Sequence, residues 1–124
     1  MDTDEGPLVG QPSNTAESDA DELAAAQMYR RLADLLAVER DCDSAGRALS
    51  QLLDESAPVV ERVSRRRAAL ADDARRAHDE RIRQQHSEVI ERAGSAMRDS
   101  FARCSQSAPM AAALQRFGAL TRTR

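Results

Sequence analysis

The residues best suited to chemistry in this chain are two histidines and two cysteines. His78 and His86 stand in "RRRAALADDARRAHDERIRQQH", Arg65 to His86, a stretch with seven arginines and no lysine. Eight residues apart on a helix, the imidazoles lie about 12 Å apart along the axis, too far to share one ion. Nor is the spacing the His-Glu-x-x-His of zinc peptidases. His86 falls between Ile82 and Val89 on an apolar seam. There it reads as a hydrogen-bonded core histidine, or as a polar seam residue that fixes register and partner choice.

Cys42 and Cys104 match no metal or redox spacing. Both sit among apolar residues at helical spacing, where a thiol behaves as a small hydrophobe. In a long helical hairpin Cys104 comes nearer the start of the first helix than Cys42 does, so free thiols and a reducing compartment are expected. No glycine-rich phosphate loop occurs. The acids are spread evenly and do not converge. The expectation is a chain with no catalytic residue, no cofactor, no metal and no small-molecule substrate.

All 18 basic residues are Arg, and the net charge is -3. From Glu61 to Arg92 nine arginines face seven acids, a balance of +2. Phosphate binding needs net positive charge along a face, and no aromatic residue lies in this stretch to stack on bases. Glu61–Arg65, Asp72–Arg76, Asp79–Arg83 and Glu88–Arg92 are spaced i,i+4 with the acid first, the favourable order on a helix. The stretch therefore reads as a solvated helical face, with Arg65, Arg66 and Arg67 its one uncompensated cluster. If anything here touches an anionic partner, it is that cluster. The alternative function is a nucleic-acid or anionic-membrane contact by it, with the acidic N-terminus as autoinhibitor.

These residues need helices to position them. Leu, Ile, Val and Phe supply only about one residue in six of the 124. Alanine, the best helix former, is abundant. This suits narrow seams between helices better than a thick core. It also suits a chain that folds only on a partner.

Residues 1–17 hold glycine, proline and scattered acids, and read as a disordered acidic tail. They carry no basic n-region or apolar h-region, so no secretory signal is expected. No apolar run is long enough to span a membrane. A cytosolic setting follows as an expectation.

Ser18 and Asp21 fit a capping box. The Ser-Ala-Pro tripeptides at 56–58 and 107–109 read as two helix starts, each with proline in the first turn. Helices are predicted at about 18–54, 57–105 and 108–120, giving an all-α chain: an elongated hairpin, or kinked long helices, forming a coiled coil. Residues 18–105 form its helical region, and 106–124 a short C-terminal helix and tail. Leu35, Val38, Cys42, Ala45, Leu49, Leu52, Val59 and Val63 hold an a/d register with only Ser56 polar among them. Leu70 continues the a series, but the d series fails at Arg66 and Asp73. A second seam runs through Ile82, His86, Val89, Ala93, Met97, Phe101 and Cys104.

Adjacent apolar pairs such as Leu35–Leu36 and Val89–Ile90 widen the stripe, as three- or four-helix packing requires. In size and layout the chain is similar to the small coiled-coil subunits of eukaryotic organelle-trafficking complexes, a likeness of shape that no motif carries. The expectation is a non-catalytic coiled-coil subunit or adaptor of a cytosolic assembly, trafficking or cytoskeletal, homo- or hetero-oligomeric. Its helical partners would be held by Leu35, Val38, Leu49, Leu52, Val59, Val63, Leu70, Ile82, His86, Val89, Met97 and Phe101.

Overall fold

The computed structural model describes residues 10–122, with side chains from Ala16 onward. Four helices follow one another: α1 (Gly10–Val38), α2 (Cys42–Ala68), α3 (Asp72–Arg103) and α4 (Ala108–Thr121). The all-helical class matches the alanine-rich sequence, but the start of α1 and the first two breaks do not match the expected boundaries. For residues 1–9 the expected acidic tail lies outside the described residues. From Gly10 the backbone is helical, so Ser18 stands inside α1 and caps nothing.

The first break falls at 39–41, not at Ser56. Asp41 is the N-cap of α2 and accepts a hydrogen bond from Ser44 N at 2.8 Å. That bond satisfies one of the orphan donors of the first turn and holds the Asp41 carboxyl below its usual range. Pro58 lies within α2, with its ring at an exposed position. Leu49, Leu52, Leu53 and Val60 are buried on both sides of it. The apolar face continues through the proline and keeps the helix whole.

The second break is at Ala69–Ala71. Arg65, Arg66 and Arg67 occupy the last turn of α2, and Asp72 and Asp73 the first turn of α3. Cations at a helix C-terminus and carboxylates at an N-terminus both oppose the end charges of the helix dipole. Arg75 reaches back and donates to the carbonyls of Arg67, Ala68 and Leu70, at 3.2, 3.2 and 2.7 Å. Arg67 and Ala68 belong to the last turn of α2, whose carbonyls lack the usual helical partners, although Arg67 O also accepts from Leu70 N at 3.1 Å. The arginine triplet is thus a helix terminus. At the third break the sequence reading holds: Ser107 caps α4 by accepting from Met110 N, with Pro109 in the first turn.

Residue pairs give the directions. Asp21 meets Arg62 and Arg31 meets Glu55, so α1 and α2 are antiparallel. Glu22 meets Arg81 and Asp34 meets Arg92, so α1 and α3 are parallel. Asp43 meets Ser107 and Asp54 meets Arg116, so α4 runs parallel to α2. Helix α1 packs extensively on both α2 and α3, α4 packs mainly on α2, and α3 touches α2 and α4 only sparingly.

The core is one cluster centred on Met28, Leu32, Leu36, Leu49, Leu53 and Met110. Small residues let the backbones close in. Ala33, Ala45, Ala93 and Ala113 are all buried, and a Cβ added at Gly46 would overlap the backbone of Pro109 and Met110. Tyr29 and Phe117 meet edge to face, with centroids 5.9 Å apart. Burial of its ring pushes the Tyr29 phenol above its usual range.

The cysteines are joined. Cys42 at the start of α2 and Cys104 at the end of α3 form a disulfide with Cα atoms 5.5 Å apart, which corrects the free-thiol expectation. The reason is topological. Because the chain turns at 39–41, α3 runs beside α1 and its end returns to the start of α2.

Candidate functional site

A cleft opens between α2 and α3 below the end of α4. It exists because α4 is short: it accompanies α2 from Asp43 to about Asp54 and stops at Thr121, where Arg122 turns to extended backbone. Below that point α2 and α3 continue, and among the described residues no fourth helix lies between them. The cavity there is about 230 Å³. Ala25, Ala26 and Tyr29 of α1 form its floor, Val60, Val63 and Ser64 the α2 wall, and Ile82, His86 and Ile90 the α3 wall, while Thr121 closes the upper end. Val63, Ile82 and Ile90 are half-buried, large apolar side chains with one face still free.

The lower end is closed by charge. Arg67 of α2 donates to both carboxylate oxygens of Asp79 of α3, at 2.8 and 2.7 Å. This fork holds the Asp79 carboxyl below, and the Arg67 guanidinium above, their usual values. Just inside, the carboxylate of Glu22 is 8% exposed. It accepts from Arg81 at 2.8 and 3.3 Å and lies 3.5 Å from His78 Nδ1. Behind the α2 wall, Asp21 accepts two bonds from Arg62 and one from Arg66, which lower its pKa to about 2. A wider depression of about 930 Å³ adjoins this end, around Leu70, Ala74 and Ala77.

The arrangement neutralises its own charges. Arg66 and Arg67 pair with Asp21 and Asp79, so they are not the uncompensated cluster that the sequence suggested; Arg65 is exposed. The expected i,i+4 pairs give way to others. Asp79 turns to Arg67, Arg92 to Asp34, and Arg75, Arg76 and Arg83 pair with acids three residues before them. The stretch is therefore less a solvated face than a set of ties between helices.

The sequence-derived interface residues scatter. Val63, Ile82 and His86 line the cleft, and Leu70 the depression beside it. Leu49 and Leu52 are buried in the core, and Met97 packs against it. Leu35 and Val38 border a shallow surface between α1 and α2 with Arg31 and Glu55. Val59 is half-buried beside Met28, and Val89 lies on the outer side of the α1–α3 pair. Among the described residues Val38 and Phe101 are the most exposed large apolar side chains, at 79% and 70%. Sequence reasoning missed Tyr29, Val60 and Ile90, and the acids Asp21, Glu22 and Asp79. Val60 and Ile90 were visible as second members of adjacent apolar pairs. The acids gave no signal, since their partners are 12 to 59 residues away in sequence.

What this site can do is hold an apolar surface. Its lining is mostly aliphatic, with the Tyr29 ring in the floor and Ser64 and His86 as polar groups in the walls, and the charged groups at its lower end already have partners. Compared with known proteins, the chain matches no family model, no curated protein sequence and no solved structure.

Proposed function

We propose that this chain is a non-catalytic helical subunit or adaptor that binds a helix of another protein in the α2–α3 cleft. One observation carries the reading. The cleft prolongs the seat of α4, so its walls are two helices already spaced to hold a third. A partner helix of about ten residues, apolar on one face, continues the line of α4 and covers Val63, Ile82 and Ile90. Such helix-in-groove binding uses anchors at i, i+3, i+4 and i+7. The internal pairing of Arg66 and Arg67 supports this reading over contact with a polyanion, which needs unpaired positive charge. Free thiols were one of the grounds for expecting a cytosolic setting. With the cysteines joined, an oxidising compartment fits the proposal better.

The test is site-specific photocrosslinking in cells that make the protein. Crosslinkers at Val63 and Ile90 are expected to capture a discrete partner chain, or a second copy of this one. A crosslinker at exposed Arg65 is expected not to. Equal capture at all three positions, or none at the cleft positions, would overturn the proposal.

A further inference from the structure

The two walls of the cleft barely touch one another. Each is held to α1, and they are tied to each other at the two ends. The lower tie is the Arg67–Asp79 fork. The upper tie is the Cys42–Cys104 disulfide. We infer that this disulfide is a redox latch: a thiol reductant opens it, frees α4 and the end of α3 from α2, and lengthens the cleft.

The groups that seat α4 crowd around the bond. Cys104 is the C-cap of α3, three residues before the N-cap of α4. Ser107 Oγ donates to Asp43 Oδ1 at 2.6 Å, one residue after Cys42. Met110 lies against Gly46, one helical turn further on. Loss of the covalent tie therefore acts first on α4, whose main support is this same end of α2. Once α4 lifts, the seat it leaves joins the open cleft.

The bond is also placed for exchange. Cys104 is 4% exposed, while Cys42 is partly exposed. Cys42 is the first residue of α2, and Arg103 Nη1 lies 3.9 Å from its sulfur. A helix N-terminus and a guanidinium both stabilise a thiolate. The neighbouring carboxylates, Asp41 and Asp43, are occupied by Ser44 N and Ser107 Oγ. In the exchange, a thiolate of a dithiol reductant attacks the Cys42 sulfur, and Cys104 leaves as a thiolate and takes up a proton. The second thiol of the reductant then resolves the mixed disulfide. Cys42 is released and protonated, and the reductant, two electrons poorer, becomes a disulfide.

The consequence for binding rests on the docking proposal above, but the latch is tested without any partner. The measurement is hydrogen exchange by mass spectrometry on the full chain, oxidised and with dithiothreitol, alongside C42S/C104S without reductant. Expected is a loss of protection of about tenfold or more confined to α4 and the last turns of α3. The double variant should match the reduced protein. Equal loss across α1 and α2, no loss, or collapse of helical circular dichroism in both reduced and variant protein would overturn the latch and leave a folding staple.

Discussion

Asp21 shows how much one side chain can be asked to hold. It fixes two arginines of α2 to α1, at 3.0 and 2.6 Å. Its folded pKa of about 2 lies below its ordinary 3.8. A depressed folded pKa means that the pair stabilises the fold fully above about pH 4. That contribution is lost as pH falls from about 4 through 2. Urea unfolding from pH 7 to pH 2.5 is expected to show this fall, and Asp21→Asn is expected to flatten it. Arg62 is 43% exposed, so solvent screens the pair, and the loss at neutral pH is modest, about 1 kcal/mol. Nothing in the residues near Asp21 announces this role. A capping box was the better local reading of Ser18 and Asp21, and it failed because the helix had already begun at Gly10.

At the scale of the element, the same tripeptide had two fates. Ser107-Ala108-Pro109 begins a helix, while Ser56-Ala57-Pro58 lies inside one. The difference is tertiary. Around Pro58 the buried set Leu49, Leu52, Leu53 and Val60 forms one continuous stripe against α1, and breaking the helix would disrupt it. Before α4 no such stripe crosses the break, because α4 turns onto α2. A proline in a helix interior lacks a donor and crowds the carbonyl four residues before it. Pro58→Ala is therefore expected to raise the urea midpoint, by up to about 3 kcal/mol of stability, with unchanged helical content. A lower midpoint would show that the ring packs in a way the exposed position of Pro58 does not suggest. The true breaks did leave marks in the sequence. Three arginines followed by two aspartates are the charges that a helix end and a helix start favour, and reading them as a single charged face hid the boundary.

Across the whole molecule, the all-α class was legible from alanine content and periodicity, and α4 from its cap and proline. The packing was not. The a/d register from Leu35 to Val63 spans the 39–41 break, so its two halves fold back on each other in one core and do not form a continuous seam. The cleft was invisible for a related reason. It is a space left by the shortness of α4, and its walls come from three helices distant in sequence. What sequence periodicity does preserve is which residues share a face: Val63, Ile82 and His86, on the two expected seams, line that space together.

The disulfide has one more consequence, for a chain that is cut. It encloses α2, the Ala69–Ala71 turn and α3 in a covalent ring, with α1 and α4 outside. A protease cut in that turn would leave both pieces linked, one band on a non-reducing gel and two on a reducing one. A cut after Arg40, which is exposed together with Asp41, would leave α1 held by packing and ion pairs alone. Two fragments on a non-denaturing column after that cut would mean that the core relies on chain continuity at α1. A single peak would mean that α1 is, in effect, a bound ligand of the ring.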